Sequence, residues 1–183
     1  HCTSWNVNQS AAIIVCSEKI ANDLDIPQEK RVYPLASSEN NHMIGTLQRP
    51  KLYEQHGMQL AAKYILDICQ KLKIEPNFYD LYSCFPVAVQ MFAESLNLND
   101  YKKFTITGGM SFAGGPLNSY VLHSLAKMVT KIRKTKDSSG IITGVSGMMT
   151  KQSYAVLSSN PLMNFTHKDL SLIHISEPTR QPC

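Results

Sequence analysis

The sequence predicts an α/β fold built in layers. β-rich and helical segments alternate across more than about a hundred residues. Three short motifs bounded by glycine or proline fall where predicted strands end, the place where α/β proteins put their sites. Composition permits this: 43% of the 183 residues are hydrophobic and 17% charged, enough to bury a core and too apolar for disorder. That length makes one ordinary domain or a piece of a larger one.

Trp5–Ser10 is polar and turn-like, and leads into Ala11–Cys16, an apolar run that is either a buried strand or the start of a helix. Ser17 is placed to cap a helical stretch through Leu24, which Pro27 stops. Arg31–Ala36 reads as a short strand near an edge or bend because Pro34 interrupts it. Ser37–Lys51 has no period and is expected to be a long loop. Leu60, Tyr64, Ile65, Ile68 and Leu72 share one face of a helix from about Gly57 to Leu72. After Pro76, Phe78–Ser83 reads as a strand, and a helix after Pro86 turns Val87, Met91 and Phe92 inward. Lys103–Thr107 is expected to be a short strand ending at Gly108. Val121, Leu125, Met128 and Ile132 mark a helix from Leu117 to Lys134. Gly140–Gly144 and Ser153–Ser158 suit a hairpin that turns at Gly147.

Several classes of function drop out. The net charge of +4 is modest and partly local to Lys127–Lys136, and aromatics are not interleaved with the basic residues as nucleic-acid stacking requires. That basic run reads as a solvated helix end complementing the dipole, with the phosphates of a ligand as the sharper alternative. Cys2, Cys16, Cys69, Cys84 and Cys183 form no C-x-x-C pair and have no His at zinc spacing, so no metal site is expected. Their odd number and wide spacing suit a reduced, cytoplasmic chain. The longest apolar run is too short to span a membrane, and no signal peptide is visible. The chain begins at His1, so residues are expected upstream. Leu170–Arg180 reads LSLIHISEPTR, similar to the translation of a transposon-end sequencing adapter. Residues 170–183, with His174 and Cys183, are therefore set aside from functional reading.

The three motifs are Asp80–Pro86, Thr107–Pro116 and Thr143–Met148. Paired glycines let a backbone turn tightly and approach a ligand, and N–H groups before the Leu117 helix are candidates to receive a phosphate or thioester oxygen. Each alone reads better as a tight strand-to-helix turn. In order and spacing they resemble the thiolase superfamily, particularly its sterol-carrier-thiolase-like branch. YSCF at Tyr82–Phe85 stands where that branch has HDCF and other thiolases NEAF. GGMSFAGGP at Gly108–Pro116 is similar to GGxxxxGHP, TGVSGM at Thr143–Met148 falls at the CxGGG turn, and Asn6–Ala12 looks like NDGAAA.

The resemblance implies the C-terminal half of a layered αβα fold with a mixed sheet. Residues 1–25 would end the N-terminal half, 26–161 form the C-terminal domain, and 162–169 link to a further region. It implies an acyltransferase, acetyl-CoA acetyltransferase-like, with acyl-CoA as partner and substrate, no permanently bound cofactor, and a homodimer. It also marks departures. Gly115 and Gly144 stand where thiolases carry a base His and a second Cys, and Tyr82 stands where a residue orients water. Glycine accepts no proton, so a Claisen acid/base pair is absent from this half. The site residues this leaves are Cys84, Tyr82 and His42 as catalytic candidates, with Glu39 beside His42 as another base. Gly108, Gly109, Gly114, Gly115 and Gly147 are the ligand-facing turns. A small buried hydrophobe remains the competing reading of Cys84, and an Asx-turned polar loop that of His42. A catalytically silent acyl-CoA- or lipid-binding protein, or a scaffold, is the rival function.

Overall fold

The computed structural model describes residues 2–171. Ser17 caps α1 (Glu18–Asp23) as its residue type predicts, its hydroxyl accepting the Ile20 N–H at 3.2 Å. β1 comes next at Tyr33–Asn41, then α2 at His56–Leu72. β2 (Phe78–Asp80) is short, and α3 (Pro86–Ser95) starts on its proline, whose missing N–H costs nothing there. A single 3-10 turn opens α4 (Tyr120–Arg133). β3 (Ser139–Ser146) and β4 (Lys151–Ser158) pair as the expected hairpin, and β5 (Thr166–Asp169) closes the described chain.

The sheet runs in the order β2-β3-β4-β1-β5 and is mixed: β2 pairs parallel with β3, β1 parallel with β5, and β4 antiparallel with both neighbours. Alternation along the central strands makes the layers. Ile141, Tyr154 and Val156 pack with Met58 and Ile65 of α2 and Phe92 of α3. Ile142 and Leu157 pack on the other face with Met128 and Ile132 of α4. The result is helix, sheet, helix. Phe92 and Tyr154 meet edge-on at 5.4 Å, and the buried phenol is satisfied by Ser95 at 2.8 Å.

Several expectations change. Ala11–Cys16 is neither strand nor helix, and Ile14 and Val15 are exposed. An apolar run becomes a strand only where another strand pairs with it, and none of the described ones does. β1 continues through Asn41, into the expected loop, because its inward polar residues find partners: Ser38 donates to the Ala61 carbonyl at 2.8 Å, and Asn40 bonds Gln152. Pro34 sits at a register shift and outside the stretch paired with β5, so it bends β1 without ending it. Residues 103–107 form no strand, and β2 stops at Asp80 rather than Ser83. In α3 it is Ala88, not Val87, that turns inward with Met91 and Phe92. β5 lies in the segment read as a linker, and residues 172–183, most of the adapter-like tail, lie outside the described residues.

Arg31 holds α1 to the start of β1. Its guanidinium donates to the Ile26 carbonyl at 2.6 and 2.9 Å, to the Ala21 carbonyl at 3.2 Å and to Asn22 Oδ1 at 2.6 Å. Arg31→Lys keeps the charge and loses the planar fork. We expect α1 to become the first site of proteolytic cleavage in that variant, at a cost of about 1–2 kcal/mol, read by limited proteolysis with mass mapping.

Candidate functional site

The site begins where β2 leaves the sheet. The Leu81 N–H turns to the Phe104 carbonyl at 2.9 Å, and the Tyr82 N–H to the Thr143 hydroxyl at 2.9 Å. The end of the first motif is thereby tied to the start of the third. Asp80, only 1% exposed, organises the segment that leads into the glycine loop. Its Oδ1 accepts from the Thr105 hydroxyl at 2.8 Å, the Ile106 N–H at 3.0 Å, and the Thr107 hydroxyl and N–H at 2.9 and 3.2 Å. One carboxylate oxygen therefore replaces a strand ladder over residues 105–107 and aims the glycine loop at Ser83. Ser83 accepts the Met110 N–H at 2.9 Å, and Gly109 lies so close that an added Cβ would stand 3.1 Å from the Ser83 oxygen.

This arrangement borders an open cavity of about 220 Å³ lined by Leu81, Ser83, Pro86, Phe104, Gly109 and Met110, and also by Cys2, Gly108, Ser111 and Phe112. Gly108 and Gly109 hold φ of +100° and +74°, conformations that favour glycine. Their N–H groups are taken up within the loop: Thr105 accepts the Gly108 N–H at 3.0 Å and Thr107 that of Gly109 at 3.2 Å. Before the Leu117 helix, where the sequence offers N–H groups to a phosphate, the Leu117 N–H donates to the Gly115 carbonyl at 2.8 Å and that of Ser119 to the Pro116 carbonyl at 3.2 Å. What the loop offers a ligand is its walls.

Residues 2–9 cross the second motif as a strap. The Ser4 N–H donates to the Met110 carbonyl at 3.0 Å, its carbonyl accepts the Gly115 N–H at 2.9 Å, and the Gln9 amide donates to the Ala113 carbonyl at 2.7 Å. Thr3 is the pivot: its hydroxyl donates to the Cys84 carbonyl at 3.1 Å, and its methyl fills the space an added Cβ on Gly115 would take. Gly114 is packed beneath Val7 and Gln9. Of the five glycines read as ligand-facing, Gly108 and Gly109 line this cavity, Gly114 and Gly115 lie under the strap, and Gly147 makes the β3–β4 turn with φ +62°. Gly144 lies on β3 between Ser153 and Val121.

Cys84 and Tyr82 are both half-buried. Burial pushes the Cys84 thiol up; the backbone N–H groups of Phe85 and of Cys84 itself pull it back, and nearby Cys2 raises it again. Burial also raises Tyr82, with Cys84 adding to it, and its ring meets Tyr120 edge-on at 5.5 Å. Both groups therefore rest protonated at neutral pH. Because only the thiolate is nucleophilic, alkylation of Cys84 gains rate as pH rises through and above the ordinary thiol value of 9.0. We expect iodoacetamide near neutral pH to label exposed Cys16 first, Cys84 more slowly and Cys69 last, since burial lifts Cys69 to about 11. Peptide mass mapping over time reads that order.

His42 stands apart from this pair. β1 points the same way as β2 and β3, so His42, one residue past β1, lies at the same end of the sheet. Three strand spacings separate β1 from β2, about 14 Å. Burial, then His56, then Arg49 lower its pKa, so its imidazole is neutral at physiological pH. A second cavity, about 410 Å³, borders Asn41, Gly144, Ser146 and Ser153 at this same end, whereas one of about 540 Å³ lies between α2 and α3, away from the motifs. Glu39 faces His167 at 3.5 Å. The basic residues after Lys127 are exposed at the end of α4, and Arg133 among them donates to the Lys30 carbonyl at 2.6 Å. Sequence reasoning missed Asp80, Thr105, Thr107 and Thr3 as organisers. The signal for the first three was a carboxylate at a strand end with two threonines at i and i+2 further along.

A mixed five-stranded sheet between helix layers, with three motifs gathered at the carboxyl ends of its strands, is a thiolase-like fold, and the chain has it. The chain is similar to a monomeric SCP2-thiolase-like protein of Mycobacterium smegmatis, at 26% identity and a TM-score of 0.69 over 78% of this chain and 32% of that one. It is also similar to the dimeric peroxisomal thiolase of Saccharomyces cerevisiae (16% identity, TM-score 0.53, 77% of this chain and 33% of that one). A thiolase of Ascaris suum in complex with coenzyme A matches at 16% identity and a TM-score of 0.55, over 78% and 34%. The chain thus spans about a third of the length of the solved structures it matches. No family profile and no curated protein sequence matches it significantly. Among the described residues no helix is long and apolar enough to cross a membrane, and no cluster of His, Cys, Asp and Glu is placed to hold a metal ion.

Proposed function

We propose that this chain is part of a thiolase-superfamily acyltransferase that takes acyl-CoA thioesters, acetyl-CoA acetyltransferase-like in its reaction, with the thiolase base histidine and second cysteine replaced by Gly115 and Gly144. The observation that supports this best is the 220 Å³ cavity that Asp80–Pro86 and Thr107–Pro116 share, with Thr143 of the third motif bonded to the Tyr82 N–H. Coenzyme A in a thiolase of the same fold agrees with it. Cys84 is the acyl acceptor in this reading, and the Tyr82 hydroxyl holds the thioester oxygen. Gly108 and Gly109 give the acyl group its wall. His42, neutral and at the same sheet end, serves the more distant part of the ligand, because direct proton transfer needs about 3 Å or one bridging water.

A specific observation favours the second reading, a protein that binds acyl-CoA without transferring the acyl group. Thr3 fills the space beside Gly115, and the Cys84 thiol is held up by burial. Incubation with acetyl-CoA and then intact-mass analysis separates the two. A gain of one acetyl group that disappears in Cys84→Ala supports transfer. Saturable binding with no mass gain supports binding alone. Neither binding nor mass gain refutes both. A homodimer is also proposed; the two neighbours described as monomeric and dimeric do not choose for it, and light scattering does.

A further inference from the structure

We propose that Cys2 and Cys84 form a reversible disulfide that pins the strap across the cavity and withdraws the Cys84 thiol from chemistry. This disulfide stands on the strap's geometry and does not depend on the acyl-CoA reading. Cys2 directly precedes Thr3, whose hydroxyl reaches the carbonyl of Cys84 itself at 3.1 Å. The Cys2 carbonyl accepts the Ser111 hydroxyl at 2.9 Å, which fixes that residue over the loop. Cys2 borders the same cavity as Ser83 and Pro86, which bracket Cys84 and Phe85. Cys2 is exposed and thus open to a soluble oxidant, and Cys84 is half-buried. That a charge on Cys2 is felt at Cys84 agrees with their closeness. The other described cysteines have no such partner: Cys16 lies in the exposed extended segment, and Cys69 is in the core between α2 and the sheet. Bridging needs Cα atoms within about 7 Å, and the bond from Thr3 to the Cys84 carbonyl already holds the two segments against each other.

The oxidant is a small disulfide such as oxidised glutathione. The Cys2 thiolate attacks one of its sulfurs, forming a mixed disulfide and releasing one glutathione thiolate. The Cys84 thiolate then attacks the Cys2 sulfur and expels the second glutathione. The two protein thiols are oxidised by two electrons, one glutathione disulfide is reduced to two thiols, and the protons lost by the cysteines pass to the glutathiones. Because burial holds Cys84 protonated, the second step accelerates as pH rises.

The test incubates the full chain, dilute, in glutathione buffers of rising oxidised fraction, traps remaining thiols with N-ethylmaleimide at low pH, and maps peptides by mass. We expect Cys2 and Cys84 to disappear from the maleimide-labelled set together, a cross-linked peptide pair about 2 Da lighter than the sum of its thiol forms, the two hydrogens lost on oxidation, and full recovery on reduction. Cys16 should stop at the mixed disulfide. In Cys2→Ser, Cys84 should stay maleimide-reactive at the oxidised fraction that closes the wild-type pair. A persistent glutathione adduct on Cys2 with Cys84 still free would overturn the proposal, as would a Cys84 that pairs elsewhere or oxidises equally well in Cys2→Ser. Because Cys2→Ser removes an exposed group outside both core clusters, its folding is checked by an unchanged denaturation midpoint.

Discussion

Replacing Asp80 with alanine should lower stability by about 3–4 kcal/mol, the scale of leaving several buried donors unpaired. The carboxylate is buried and one oxygen receives four donors from Thr105, Ile106 and Thr107. Asp80→Asn retains an acceptor oxygen at the same place and loses the charge, and should cost about half as much. Denaturant midpoints measure both. The loop's dependence on Asp80 is checked separately by hydrogen exchange: in Asp80→Ala, the amides of Ile106, Thr107 and Met110 should lose protection ahead of β3 and β4. Uniform loss across the sheet would mean that Asp80 supports the core as a whole and does not shape the cavity in particular.

Gly140→Ala is the second large effect, about 2–3 kcal/mol from overpacking. Gly140 begins the part of β3 over which α4 crosses, and an added Cβ would land on the sulfur of Met128 and 3.1 Å from the Phe78 carbonyl oxygen. Met128 is fully buried, so its side chain has no free rotamer to move into. The cost should fall when Met128 is shortened. In the double variant Gly140→Ala, Met128→Ala, we expect the penalties to be less than additive by about 1 kcal/mol, because the cavity opened by one change admits the other. Additive penalties would place the clash against the Phe78 backbone instead.

Much of the fold was legible because helix periodicity and turn chemistry are local signals. Tyr64, Ile65, Ile68 and Leu72 do join the core, though Leu60 does not and Met58, Ala61 and Ala62 are buried there. Ser17 does cap α1, and Gly147 does turn the hairpin with a positive φ. What was hidden depended on partners distant in sequence. Ser38 and Asn40 look like loop residues until Ala61 and Gln152 supply their hydrogen bonds. Ile106 and Thr107 look like a strand until Asp80 takes their N–H groups. β5 reads Thr-His-Lys-Asp, with no apolar alternation, and is a strand because β1 offers it an open edge.

The site was legible in a similar sense. The motifs named the segments, and the structure gathers them at one end of the sheet. Composition could not show that the Gly108 and Gly109 N–H groups are consumed by Thr105 and Thr107, or that Thr3 occupies the space beside Gly115. Nor could it show that His42 and Cys84 stand three strands apart. Those facts shift the weight of the proposed ligand site from hydrogen-bond donors to the apolar walls at Leu81, Phe104 and Met110.

An acyl-CoA site at this sheet end is best tested by hydrogen exchange of the chain with and without acetyl-CoA. Acetyl-CoA should bring new protection at residues 81–86, 107–116 and 143–148, with α2 unchanged along its outer face. Protection confined to the groove between α2 and α3, or none at any concentration, would place the ligand elsewhere or nowhere on this chain and contradict the proposed site.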